Sequence, residues 1–284
     1  MGITTTPFVG QDDFVFVEEK NVKQNKVFKD CSVSLIDNLV KEEILSDIDL
    51  KILELLKDYT YLNYYAIDKL LKASGNVYGK DNYQSNLKNM RCYGIVLMYR
   101  NNNDVCVYTL SQGGYIYESL KRGLKVARRK DFFENNISGN LINHTLSVNS
   151  AILGLIEQDS DKKIRLYDSK DFSMYRFFAI GEGKSKLKFA VVSVRRGDSY
   201  AFVITGCVGR AINVFGSNDF ILLLCCEDQL HIIEAAEELN KGVPIIASSV
   251  YFTADNIAKE DLMEAIFTIK QDDEGKMSAA LCKI

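Results

Sequence analysis

Between Asp81 and Arg91 the apolar residues Tyr83, Leu87 and Met90 recur at helical spacing, which turns Asn82, Gln84, Ser85, Lys88 and Asn89 to the opposite side. Short amides and hydroxyls of this kind pair with base edges in a DNA major groove, and a lysine among them reaches phosphate. Arg91 closes the stretch. Arg100 and the run Asn101, Asn102 and Asn103 then supply a cation and further donors. Downstream, Arg128, Arg129 and Lys130 have the composition of a phosphate-contacting tether, or equally of a solvated linker. The plain alternative for the helix is a solvated face. What favours duplex DNA is the set of elements around it.

Other chemistry finds little support. His144 and His231 are the only histidines, and neither stands at ligand spacing from a cysteine or from the other, so no metal is expected. Ser173, Ser193 and Cys207 have no believable base. Gly181, Gly183, Lys184 and Ser185 resemble the end of a phosphate loop. The first glycine of that motif would have to fall at 178, which is Phe178, and a strand follows instead of a helix, so a hairpin turn is expected and no cofactor. The seven cysteines form no CxxC pair, as in a chain with reduced, packed thiols.

The elements that must hold the polar helix can be read on either side of it. Residues 1–45 begin with a polar end and a short alternating piece, Phe14 to Val17, either a strand added to a neighbour or a loose arm; a helix over Cys31 to Leu45 follows. Ser46 or Asp47 opens a helix marked by Ile48, Ile52, Leu55, Leu56 and Tyr59. Thr60 is expected to cap the next, with Leu62, Ala66, Ile67 and Leu70 inward. After the polar helix Gly94 gives a stop, since glycine takes positive φ cheaply. Strands Ile95 to Tyr99 and Val105 to Tyr108 around a polar turn then make a hairpin. Three helices and a hairpin read as a winged helix-turn-helix, spanning 46–130 with the helix over Ser111 to Gly123 and the cationic run.

Residues 131–284 change character. A helix over Ser138 to Gln158 precedes strands at Ile164 to Asp168, Tyr175 to Ile180 and Leu187 to Val194. Tyr200 to Phe215 fits strand or helix. Phe220 to Cys226 is a continuous apolar run of the kind covered on both faces, followed by a helix to Leu239, a strand over Val243 to Phe252 and a last helix over Lys259 to Ile269. The fold class is therefore α+β, a winged helix-turn-helix followed by a mixed α/β domain. The net charge of -3 hides a separation: ten basic residues against three acidic from Lys80 to Lys130, and thirteen acidic against three basic from Asp219 to Glu274. The first stretch suits phosphates and the second repels them.

The order of these elements resembles the replication-relaxation family of plasmids and mobile elements. The resemblance is carried by the step Tyr108-Thr109-Leu110-Ser111-Gln112-Gly113-Gly114 at the end of the winged helix, by the helix around His144 to Asn149, and by the closing strand-helix-strand from Phe220 to Phe252. It implies a role in plasmid replication or in the relaxosome of conjugative transfer, with a relaxase or replication protein as partner. It also implies a restriction-endonuclease-like second domain. Such a domain cuts DNA with an acidic residue on one strand and an acidic-x-Lys on the next. Asp168 could be the first, but Ala190 to Arg196 carries no carboxylate, and Glu182 and Asp198 flank that strand, so the domain is expected to be catalytically inactive.

The expectation is a non-enzymatic DNA-binding protein, with a homodimer allowed. Its alternatives are a winged-helix transcriptional regulator with a sensing α/β domain, a metal-dependent nuclease, or a winged helix used for protein contacts. With no basic-then-apolar leader and no apolar run of about 18 residues, it is expected in the cytoplasm and off the membrane.

Overall fold

A computed structural model describes residues 14–17, 31–74, 80–124, 139–156, 164–167, 174–181, 186–241, 249–258, 262, 264–271 and 277–282. The chain divides into two compact units, residues 12–142 and residues 143–284.

In the first unit a short strand β1 (Val15–Phe16) precedes α1 (Val33–Lys41) and α2 (Asp47–Tyr59). Of the two candidates Ser46 is the cap of α2: its backbone N–H donates to Asp49 Oδ2 at 2.8 Å, and Asp49 N–H donates back to Ser46 Oγ. Thr60 departs from expectation. It ends α2 instead of starting a helix, its φ of 68° being a conformation that strains a β-branched residue. The next two residues form β2 (Leu62–Asn63), and Asn63 caps α3 (Tyr64–Ala73) by accepting from Ala66 N–H at 2.8 Å.

Then come α4 (Lys80–Cys92), β3 (Val96–Arg100), β4 (Cys106–Leu110) and α5 (Gln112–Lys121). Gly94 has the expected positive φ, 68°. The four strands pair antiparallel in the order β1-β3-β4-β2, so the alternating N-terminal piece is an added strand. It lies along β3, with Val15 opposite Arg100 and Phe16 edge-on to Tyr99. A Cβ on Gly113 would fall 1.5 Å from the Cys31 carbonyl oxygen, so only glycine lets α5 approach the start of α1 this closely.

The second unit is a seven-stranded mixed sheet. After α6 (Gly139–Ile156), the strands β5 (Ile164–Tyr167), β6 (Tyr175–Ile180) and β7 (Leu187–Ser193) form an antiparallel meander. Next, α7 (Tyr200–Phe215) leads to β8 (Ile221–Cys226) and α8 (Gln229–Asn240) to β9 (Ser249–Ala254), with β7, β8 and β9 parallel. The ambiguous stretch from Tyr200 is thus a helix, because Val203, Ile204, Cys207, Val208 and Ala211 share one buried face. That face and Ile232 and Ala235 of α8 pack on Phe177, Val192, Leu222 and Leu224, as two crossovers of the same hand require for strands added in one direction. Residues of α6 lie against the other face of the sheet.

The expected helix over Lys259 to Ile269 is corrected at its end, where a strand is found; residues 259–261 and 263 lie outside the described residues. A single turn, α9 (Asp255–Ala258), precedes strand β10 (Phe267–Gln271), which pairs with the unanticipated β11 (Met277–Leu281). Ala265, Ile266 and Phe267 are buried in succession, which a one-sided helix cannot do. The first part of the expected strand from Val243, residues 243–248, lies outside the described residues. So do Asp168, Glu182, and residues 181–185 beyond Gly181.

Candidate nucleic-acid interface

Tyr83, Leu87 and Met90 are buried, as the spacing predicted. Full burial of an apolar side chain contributes roughly 1.5–3 kcal/mol, far more than any preference of the polar residues between, so these three decide which side of α4 faces out. The outward side carries Gln84, Ser85, Lys88 and Asn89, all exposed, with Arg91 half-buried at the end. Asn82 lies on the helix, but its side chain is outside the described set, as are all of Arg128, Arg129 and Lys130.

α4 is held in place by a polar contact that periodicity does not reveal. Asn86 donates its amide to Asp49 Oδ1 at 2.8 Å, and lies 3.3 Å from Ser46 Oγ. The N-cap of α2 is thereby tied to the middle of α4.

Arg100 ends β3 with its guanidinium exposed, 3.6 Å from the Asp104 carboxylate. Asn102 is exposed at the hairpin tip. Asn101, expected among the outward donors, is instead buried: its Oδ1 accepts from the backbone N–H groups of Asn103 and Val105 at 3.0 and 2.8 Å, closing the turn. Burial pushes the Tyr108 phenol up to about 12, against the pull of Arg91 and Arg100, which act on it from the helix and from the hairpin.

The basic balance from Lys80 to Lys130 overstates what is free for a ligand. Lys121 pairs with Glu54 at 3.0 Å, and Arg122 pairs with Asp58 and donates to the Glu54 carbonyl at 3.2 Å. Both cations brace α5 against α2. Beside them Glu118 is fully buried, and burial raises its carboxyl above the usual range although Lys121 and Arg122 pull it down.

A second concentration of polar groups lies at the carboxyl ends of β7, β8 and β9, unforeseen in the sequence because it comes from four separated segments. Buried Arg195 forms an ion pair with buried Asp255 at 2.6 Å and donates to the Asn143 carbonyl at 3.2 Å. Ser147 of α6 donates to Asp255 Oδ1 at 2.5 Å. His144 has Nδ1 3.1 Å from the Ser193 carbonyl and Nε2 3.6 Å from Asp198, which also accepts from Arg195 N–H at 2.7 Å. Burial raises the Asp198 carboxyl, but His144 and the Arg195 N–H outweigh it and hold it below the usual range. Arg196 is gripped by Glu227, Asp228 and Glu234, each at 2.9 Å.

None of this assembles a nucleophile and base. His231 Nδ1 accepts from Glu227 N–H at 3.1 Å, which leaves the ring proton on Nε2, 2.6 Å from the Tyr200 hydroxyl. Burial raises the thiols of Cys207 and Cys225, which keeps them protonated and unreactive. The strand β7 carries no carboxylate. Among the described residues no group of His, Cys, Asp and Glu could hold a metal ion, and no helix is long and apolar enough to cross a membrane. Comparison of the chain with protein-family models, with curated proteins and with solved structures finds no match.

Proposed function

We propose that residues 46–120 form a winged helix-turn-helix that binds duplex DNA, with α4 in the major groove and the β3–β4 hairpin on the neighbouring backbone. The observation that carries this reading is the outward set Gln84, Ser85, Lys88 and Asn89 on a helix whose other side is locked by Tyr83, Leu87 and Met90. The element order supports it: a helix, a short strand, two helices and a hairpin that pairs back on the short strand. In this arrangement Lys88, Arg91 and Arg100 meet phosphates and fix register, while the amides and the hydroxyl read bases.

The second unit is read as a non-catalytic scaffold for a partner protein. Its order, a helix, a three-stranded meander, a helix and a parallel strand, is compatible with a restriction-endonuclease-like core. The acidic balance from Asp219 to Glu274 turns it from nucleic acid toward protein. With the resemblance to replication-relaxation proteins, the reading is an accessory protein of plasmid transfer or replication that holds DNA with one unit and a relaxase or replication protein with the other.

The test is duplex affinity across a salt series for the wild type and for Lys88→Ala with Arg100→Ala. Loss of two phosphate contacts is expected to weaken binding at every salt concentration and to flatten the salt dependence by about 2 in logarithmic slope. Unchanged affinity at low salt overturns the docking.

A further inference from the structure

Phe202 and Leu230 are the two most exposed large apolar side chains among the described residues, at 78 % and 71 %. Each lies on the side of its helix opposite the buried face, and both helices pack on the same face of the sheet. Tyr200, two residues before Phe202, places its hydroxyl 2.6 Å from the ring of His231, the residue after Leu230. The starts of α7 and α8 are therefore side by side, each presenting a largely exposed apolar side chain in its first turn. Single exposed apolar residues are ordinary; two on the outer side of one helix pair are less so.

The charge around the patch is one-sided. Glu234 lies one turn after Leu230 on the same side of α8, and with Glu227 and Asp228 it surrounds Arg196, three carboxylates to one guanidinium. Glu234 is half exposed and Asp228 a third, and a carboxylate accepts about four hydrogen bonds, so capacity remains after Arg196 is served. A second copy docking by the same face would bring like charge onto like, and nucleic acid would be repelled. An apolar segment that carries cations is attracted on both counts.

We propose that the starts of α7 and α8 dock a cationic amphipathic segment of a partner protein, its apolar residues covering Phe202 and Leu230 and its lysines or arginines meeting Glu234 and Asp228. This deepens the partner-binding half of the proposed function and is independent of the DNA-binding half. The patch is formed entirely within residues 196–234, from one helix pair and the loops leading into it.

Random peptides displayed on phage and selected on the full chain test it. Enrichment of sequences that combine leucine-like and Lys/Arg residues is expected, with affinity lowered roughly tenfold or more by Phe202→Asp with Leu230→Asp, and also by Glu234→Lys. Both apolar positions are exposed, so the fold should survive; circular dichroism and an unchanged duplex affinity confirm it. Peptides that bind both forms equally overturn the patch while leaving a partner site elsewhere on the unit standing. No enrichment at all overturns the patch and the partner-binding reading together. A wild-type dimer that dissociates on Phe202→Asp, seen by sedimentation, overturns it in favour of self-association.

Discussion

The side-chain amide of Asn86 donates to Asp49 Oδ1 at 2.8 Å, and Asp49 uses its other oxygen to accept from the backbone of Ser46. One buried carboxylate thus starts α2 and fixes α4, so the polar face of α4 is oriented by a residue that itself faces the protein. Asn86→Ala strands an acceptor of Asp49 and should destabilise the chain by about 1–3 kcal/mol. Because α4 loses its anchor, duplex affinity should fall as well, although no DNA-facing side chain is removed. Urea unfolding and a duplex titration on the same sample check both. An unaltered unfolding midpoint would show the contact to be idle.

Gly113 is the tightest approach in the first unit. A Cβ there would meet the Cys31 carbonyl oxygen, which is backbone and cannot swing aside. Gly113→Ala must separate α5 from Cys31, just ahead of the α1 N-cap, and strain of this kind costs roughly 1–3 kcal/mol or more. A fall in melting temperature is expected, with a larger fall for Gly113→Val.

Much of the first unit was legible because its signals are local. Ser46 as a helix start, the spacing of Tyr83, Leu87 and Met90, and Gly94 each need only a few neighbouring residues to act. What was missed depends on distant partners. Thr60 looked like a cap, but Leu62 and Asn63 pair with Tyr108 and Val107, and that pairing moves the helix start to Asn63. The cations Lys121 and Arg122 looked available until α2 supplied Glu54 and Asp58. Lys259 to Ile269 has apolar residues that suit a helix, and only the ladder to Met277–Leu281 makes its end a strand. The cluster around Arg195 and Asp255 joins α6 and three strand ends, and no window of sequence contains it.

Asp228 and Glu118 are shifted in opposite directions and give opposite predictions. Arg196, outweighing partial burial, holds the Asp228 carboxyl down at about 2, from a usual 3.8. Its folded value is the lower one, so its contribution is complete above about pH 4 and is lost as the pH falls toward 2. Asp228→Asn keeps an oxygen to cap α8 at His231 N–H yet removes the charge, and should flatten stability against pH in that window. Denaturant midpoints at pH 5, 3.5 and 2.5 measure it.

Glu118 behaves in the reverse sense. Its folded carboxyl is raised by burial, so the stability it contributes is present at low pH and is lost as the pH rises through the raised value. Both of its oxygens are buried without a hydrogen-bond partner among the described residues. Glu118→Gln should therefore raise the melting temperature at pH 8 and change it little at pH 4. A fall at pH 8 instead would show that Lys121 and Arg122 outweigh burial.

Arg195 and Asp255 separate a structural from a ligand-binding role for the polar cluster. Both are buried, and each is the other's ion partner at 2.6 Å; burial raises the Asp255 carboxyl even against the pull of Arg195. Removing one partner leaves a charge with nothing to balance it, so Arg195→Met or Asp255→Leu alone should cost about 3–5 kcal/mol. Replacing both removes the imbalance. If the pair serves only to tie the end of β7 to the end of β9, the double variant should recover most of the loss and bind the same peptides and duplexes as the wild type. If the cluster holds a ligand, the double variant should be stable and still lose that binding. A thermodynamic cycle read together with the two binding measurements distinguishes these outcomes, and the His144 ring, held at Nδ1 by the Ser193 carbonyl, favours the first.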